Sequence, residues 1–383
     1  MGFKLPKQGL VFWPVGSGDS TTIAVWSTVI LQLDLHHLDG AGKRDDPHTP
    51  IVDRLVELLP KRGNKPYLAV FILTHPDMDH CLGFRELLKK VTIGELWFSP
   101  RIFWEYKKDL CDDAKAFLAE AKRRVAKTIG EHGNVDSGDR VRIIGYSDLL
   151  QEDEYDGFPK DRLTVPGNWV CELDGANYSQ VFRAFIHAPF KDDSTGERNE
   201  TSIAMQVTLL NPEAGGKSWG RVLLFGDLSY PTIRRIFDIS KAEQLAWDIL
   251  LAPHHCSKSV MYWQGPGEED ERLKQDILDD IQKAAGRIGY IIASCEPIPA
   301  SNAKGDNPPH AKAKARYEEI VPDEFICTQE HGGTASPQPV VFVLGANGFE
   351  YQKPSATAKS IPEAIAAARG SAEPPQTRVG FGR

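Results

Sequence analysis

The sequence predicts an α/β protein whose sheet is buried, and three observations carry that prediction. Residues 67–73 form a nearly continuous apolar run of strand length, the pattern of a strand covered on both faces. An amphipathic stretch at 50–61, with Ile51, Leu55, Val56, Leu58 and Leu59 on one side, precedes it. Helical and strand-like segments at 84–90 and 95–98 follow, which completes a β-α-β rhythm. The 383 residues, 41% of them hydrophobic, suffice for one large core carrying insertions. With 17 Phe, 8 Trp and 10 Tyr, a disordered chain is excluded.

Each further element follows in chain order. Strands are expected at 10–14, 21–26 and 28–34, with Gly16-Ser17-Gly18-Asp19 as the turn between the first two. Residues 107–129 carry a long charged helical pattern and 147–160 are acidic and turn-rich, so about 100–165 reads as an insertion on the core. Strands return at 182–187, 202–210 and 221–225, then at 249–252, 290–293 and 340–344. Helices are expected at 231–237 and 268–285. Past Tyr351 the composition turns to Ala, Pro, Gly and Ser. That predicts a single domain over 1–352, then a flexible tail over 353–383 with a weak helix at 362–369.

Composition narrows the function. A net charge of −8 argues against a broad basic nucleic-acid surface. No run approaches the roughly 18 apolar residues of a membrane helix, and the first residues lack a signal-peptide core. The cysteines at 81, 111, 171, 256, 295 and 327 are never closer than 30 residues, which excludes a CxxC zinc knuckle. A reducing, cytoplasmic location without membrane attachment is the expectation, and the sequence leaves open whether the chain has a protein partner.

The chemistry concentrates directly after the buried strand, in Thr74-His75-Pro76-Asp77-Met78-Asp79-His80. Four metal-ligating side chains in six residues, at the carboxyl end of a strand, can diverge to two adjacent cations. His75 and Asp77 then face one, Asp79 and His80 the other. Asp227 follows the strand-like run 221–225 through Gly226, and a carboxylate there can bridge two metals. His254 and His255 stand together after another apolar run, and His187 ends a strand. His310 precedes a helix.

In order, these segments resemble the metallo-β-lactamase fold, and within it the hydrolase domain of the competence DNA-uptake protein ComEC and its free-standing relatives. Val15-Gly16-Ser17-Gly18-Asp19-Ser20 resembles that group's opening motif, and Leu33-Asp34 its strand-end Asp. Thr74 to His80 is similar to its Ser/Thr-His-x-Asp-x-Asp-His motif, and Asn199-Glu200-Thr201-Ser202 to its Asn-x-x-Ser element. Gly226-Asp227, Pro253-His254-His255-Cys256-Ser257 and the loop from Asn302 to His310 match the Gly-Asp, His-His-Gly-Ser and late His elements. Asp77 stands where the lactamase-type motif has a second His, and Cys256 stands in the place of a Gly.

The resemblance implies an αββα sandwich, two mixed β-sheets packed face to face with helices outside. It implies a metal-dependent hydrolase with two divalent ions, Zn or Mn, that activate water. His75, Asp77 and His187 are then assigned to one ion and Asp79, His80 and His255 to the other, with Asp227 between them. Asp79 is also assigned to catalysis, and His254 and His310 are expected to bind or protonate the leaving group. Asp19, Asp34 and Thr74 would orient the ligands from behind, and Asn199 and Ser257 would contact substrate. The carboxylate of Asp77 hardens the donor set toward Mn²⁺. A phosphodiester, nucleic acid included, is the favoured substrate, and a carboxylic ester, lactone or β-lactam is the alternative. A non-catalytic binding module is the third reading, which the intact ligand set disfavours. The basic residues Lys122, Arg123, Arg124 and Lys127 either lean over the site or form a solvated helix face.

Overall fold

The computed structural model describes residues 3–105, 107–192, 197–214, 218–303 and 307–354. The expected tail and its helix at 362–369 lie outside the described residues. Within them the strands form two large mixed sheets. The first runs in the order Gly348–Gln352, Val340–Gly345, Gly9–Phe12, Thr21–Trp26, Val29–Leu33, Lys65–Leu73, Thr92–Phe98, Arg140–Ile144 and Leu163–Thr164. The second runs Phe325–Cys327, Ala285–Ala293, Trp247–Leu251, Ser218–Leu224, Ala204–Asn211, Phe182–Ala188 and Trp169–Val170.

Strand alternation sorts the apolar side chains into layers. Leu10, Phe12, Leu31, Leu33, Val70 and Ile72 of the first sheet meet Ile186, Met205, Val207, Val222, Ile249 and Ile292 of the second in one buried cluster. Their alternate neighbours, such as Val11, Ile30, Phe71 and Leu73, face outward onto the helices Ile51–Leu58, Phe84–Lys90 and Asp112–Gly130. On the other side Leu223, Leu250 and Ile291 pack against Tyr230–Ile239, Gln275–Ala284 and Ala311–Ile320. The result is the expected four-layer sandwich, two sheets between two helix layers.

The segment at 100–165 contributes more than a surface excursion. Arg140–Ile144 pairs parallel with Thr92–Phe98 and extends the first sheet. The helix Asp112–Gly130 buries Ala114, Phe117, Leu118, Ala121 and Val125 against that sheet. Its charges are paired: Arg123 and Lys127 on Asp139, Lys122 near Glu154, and buried Arg124 on Glu120 and the carbonyls of Ile93, Gly94 and Arg140. The basic stretch is a helix face, and part of it holds the helix to the sheet.

The sheets place the site by their polarity. Val29–Leu33 and Lys65–Leu73 run parallel, as do Ser218–Leu224, Trp247–Leu251 and Ala285–Ala293. Asp34, Thr74–His80, Asp227, His254–His255 and Ser294 follow these strands, so all emerge at carboxyl ends, where open α/β sheets put their ligands.

Candidate metal centre

Asp227 is the hub. One of its oxygens, Oδ1, lies 3.3 Å from His80 Nε2. The other, Oδ2, lies 3.5 Å from His255 Nε2, 3.6 Å from His254 Nε2 and 3.9 Å from His75 Nε2. Asp79 Oδ2 is 3.2 Å from His255 Nε2, and Asp77 Oδ2 is 3.5 Å from His75 Nε2. Asp19, His80, Asp227 and His255 each offer a ligand atom, all within 4.8 Å of one another, and all four residues are buried. Asp19 therefore stands in the cluster itself, where the sequence reading put it behind the ligands.

The loops that bring these groups together have identifiable local causes. Gly18 lets the first turn lie against the metal-loop backbone: a Cβ there would sit 2.7 Å from the Asp79 carbonyl and 2.2 Å from His36 Nδ1. Asp19 N–H donates to that same Asp79 carbonyl. Gly226 has φ +55°, and a Cβ on it would meet Ser202 Cβ at 2.8 Å. His254, His255 and Cys256 hold φ of 49°, 52° and 66°, three successive non-glycine residues in the left-handed region. Each such residue costs roughly 1–2 kcal/mol, strain of the kind that surrounding structure must over-determine. Here His254 N–H donates to Gly226 O, and the Cys256 carbonyl accepts His310 N–H. The turn sends His255 inward and leaves His254 a quarter exposed.

A donor count fixes how the imidazoles are presented. Asp34 Oδ2 lies 2.8 Å from His80 Nδ1, so that nitrogen donates outward. His255 Nδ1 lies 3.1 Å from the Ser294 carbonyl and donates likewise. His75 Nδ1 faces Thr74 Oγ1 at 3.1 Å and Ser202 Oγ at 3.2 Å. Thr74 Oγ1 gives its proton to Asp34, and Ser202 Oγ gives its proton to the Asn199 carbonyl. Both hydroxyls can then only accept, and His75 Nδ1 must donate. All three rings carry a proton on Nδ1 and turn Nε2 toward Asp227, the presentation a metal requires.

The electrostatics match. Burial opposes charge on His80, yet Asp227, Asp34 and Asp79 outweigh it and raise its pKa well above the ordinary imidazole range. Burial is likewise outweighed at His255, by Asp227, Asp79 and Asp19. Asp227 and Asp79 are held below the usual carboxylate range against burial, by the His255 and His80 imidazoles. Burial pushes Asp19 up to about 6. His75 Nε2 and Asp227 Oδ1 are buried without a hydrogen bond, which is expensive for polar atoms unless a ligand completes them. The donor set, imidazole nitrogens with carboxylates, therefore fits a divalent ion. Such an ion would displace the protons that the cluster otherwise holds.

Other expected residues fall in different places. His187 does not join the cluster, and its assignment as a ligand is corrected. Phe182, Ala184 and Ile186 of its strand face the inter-sheet core, so His187 turns to the opposite face with Phe185. Its Nε2 donates to the Gln244 carbonyl at 3.1 Å and its Nδ1 accepts from Ser240 Oγ at 3.0 Å. Burial lowers its pKa to about 4. His310 is buried at the head of Ala311–Ile320, and its Nδ1 accepts Lys258 N–H at 3.2 Å. Asn302 braces that loop, accepting Ala311 N–H and donating to the Pro309 carbonyl at 3.3 Å. Asn199 enters the site through its carbonyl. Ser257 Oγ accepts Ser259 N–H at 3.2 Å and lines a cleft with His254 and His310.

Three contributors escaped the sequence reading. Ser202 lay inside the quoted Asn-x-x-Ser element, which was its signal. Arg198 holds Asp77 Oδ1 with one guanidinium nitrogen and Glu105 Oε2, at 2.9 Å, with another. Nothing in the spacing of residues 77, 105 and 198 announces that clamp. The Ser294 carbonyl is a backbone group and has no residue-type signature.

No family model matches the chain, and no curated protein matches it. Among solved structures, the crystal structure of an archaeal metallo-beta-lactamase superfamily protein from Sulfolobus tokodaii covers 82% of this chain and 97% of its own, at 11% identity and a TM-score of 0.30. The two mixed sheets between helix layers are consistent with the fold expected from the sequence, and the His and Asp cluster lies at the ends of parallel strands.

Proposed function

We propose that this chain is a metal-dependent hydrolase that cleaves phosphodiester bonds with a dinuclear centre, a soluble counterpart of the ComEC hydrolase domain. The observation that carries the reading is the convergence of His75, His80 and His255 on Asp227, each with Nδ1 committed outward. His80, His255, Asp79, Asp19 and Asp227 would hold one ion, and His75, Asp77 and Asp227 the other. Divalent ions supply electrophilic stabilisation of phosphoryl oxygens and lower the pKa of water toward neutrality.

The remaining steps belong to the chain. Arg198 fixes the Asp77 carboxylate and so limits it to one free oxygen. His254 stands at the mouth of the cluster, and burial keeps its imidazole neutral near pH 7 despite Asp227. His310 carries its proton on Nε2, because Nδ1 accepts from Lys258. Either neutral ring can donate a hydrogen bond to the leaving oxygen as the P–O bond breaks, and the proton that neutralises that oxygen is the one the attacking water gives up. Four carboxylates among the donors, Asp19, Asp77, Asp79 and Asp227, favour hard oxygen ligands and Mn²⁺ over a pure Zn site. Among the described residues no helix is long and apolar enough to cross a membrane.

The test is metal-dependent hydrolysis of bis-(4-nitrophenyl) phosphate and of labelled single- and double-stranded DNA and RNA, with Asp79→Ala as control. Turnover stimulated more by Mn²⁺ than by Zn²⁺ and lost in the variant is expected. Turnover of a chromogenic ester or β-lactam with none of the diesters would select the carbonyl alternative.

A further inference from the structure

A cleft of about 500 Å³ opens beside the cluster, lined among others by His254, Lys258, Tyr262, Trp263 and His310. It is continuous with the site, since His254 is both a wall of the cleft and a neighbour of Asp227 at 3.6 Å. Its size falls in the range of small-molecule pockets, roughly 300–1,000 Å³.

Part of the lining is aromatic. Tyr262–Trp263 pairs with Arg272–Leu273 in a short antiparallel ribbon, which fixes its orientation. Lys312 Nζ lies over the Tyr262 ring at 5.4 Å. Trp263 is only partly buried, and among the described residues no ring stacks on it and no cation covers it. Other parts of the lining are polar, with His254, His310 and Ser257 among them. At the rim, Lys258 Nζ is held by Glu271 Oε1 at 2.6 Å. Aromatic rings and hydrogen-bonding groups lining one cleft beside the cluster have the chemistry of a nucleotide site, where the base stacks on a ring and the phosphate reaches the polar groups.

We propose that this cleft takes the nucleoside of the substrate, so that the enzyme acts on a single nucleotide unit and not along a duplex. The inference rests on the phosphodiester reading and supplies its substrate class. It also accounts for an acidic chain acting on an anion. A tracked duplex needs a row of unpaired basic groups, and the basic stretch of the helix Asp112–Gly130 is paired on Asp139, Glu120 and Glu154. A nucleotide gripped by stacking needs no such row.

The experiment is calorimetric binding of each of the four nucleoside 5′-monophosphates and of ribose 5-phosphate to the full chain, in wild type, Trp263→Leu and Trp263→Phe. It is paired with kcat/KM on a dinucleotide and on the same molecule lacking the base. At least one nucleotide is expected to bind about tenfold tighter than ribose 5-phosphate. Trp263→Leu should erase that margin, Trp263→Phe should keep most of it, and only the base-containing dinucleotide should lose kcat/KM. Nucleotides binding no tighter than ribose 5-phosphate, or binding unchanged in Trp263→Leu, would overturn the cleft assignment. Nucleotide binding that depends on Trp263 without hydrolysis of any diester would keep the cleft and reject the hydrolase reading.

Discussion

Asp34 Oδ2 sits 2.8 Å from His80 Nδ1, and the same carboxylate accepts both the backbone N–H and the hydroxyl of Thr74. One fully buried side chain therefore sets the tautomer of His80 and anchors the first residue of the metal loop. Through Thr74 Oγ1 it also constrains His75. Asp34 has φ +52°, a conformation Asn tolerates nearly as well.

Asp34→Asn isolates that control, because it keeps the backbone and the size while removing the anion. Divalent-metal affinity is expected to fall about 10–100-fold, the usual cost of losing a carboxylate behind a ligating imidazole. Titration calorimetry with Mn²⁺ measures it directly. An unchanged affinity would mean that His80 is not a ligand.

Ser202→Ala should do less. It removes one of two acceptors for His75 Nδ1 and leaves Thr74 in place. A loss of about fivefold in metal affinity is expected, the equivalent of one hydrogen bond of about 1 kcal/mol. Affinity equal to wild type would place control of His75 with Thr74 alone.

Much of this was legible in the sequence because it is local. Thr74 to His80 is one loop, and a buried apolar run before it announces a strand end. The four-layer fold was implied by the family resemblance that these motifs carry in their order. What was not legible depends on which face a strand turns and on which distant loop returns. His187 ends a strand as a ligand would, but the alternation of Phe182, Ala184 and Ile186 sends it to the outer face. Asp19 follows a glycine turn whose close approach to the Asp79 carbonyl exists only in three dimensions. The helix Asp112–Gly130 looked solvated because its charges dominate the composition, although its apolar stripe is buried.

His187 makes stability pH-dependent on the acid side. Its pKa falls from 6.5 to about 4 on folding, because burial disfavours the imidazolium. Between those values the unfolded chain binds a proton that the folded chain does not, so stability is full above pH 6.5 and declines as pH falls toward 4. The loss amounts to about 3 kcal/mol. Denaturant unfolding of wild type and His187→Gln across pH 4–7 should show a shallower acid limb in the variant. Parallel curves would contradict it.

Cys111 should be the reactive cysteine. Its thiol is lowered to about 6, first by the Cys81 thiol 3.6 Å away and then by backbone N–H groups of Ala114 and Asp113 at the start of a helix, and it is partly exposed. Burial pushes Cys171 and Cys256 the other way. Iodoacetamide at pH 7, read by peptide mass mapping, should label Cys111 first, and Cys81→Ala should slow that labelling near pH 6. Labelling of Cys171 ahead of Cys111 would contradict the assignment.

The most direct test of the metal centre is the metal content of the purified chain after incubation with Mn²⁺ or Zn²⁺ and desalting, for wild type and Asp227→Ala, alongside thermal melting. The account predicts two divalent ions per wild-type chain, a melting temperature that rises with added metal, and the loss of both in Asp227→Ala. Wild-type protein that retains no more metal than the variant, and melts at the same temperature with and without it, would contradict the account.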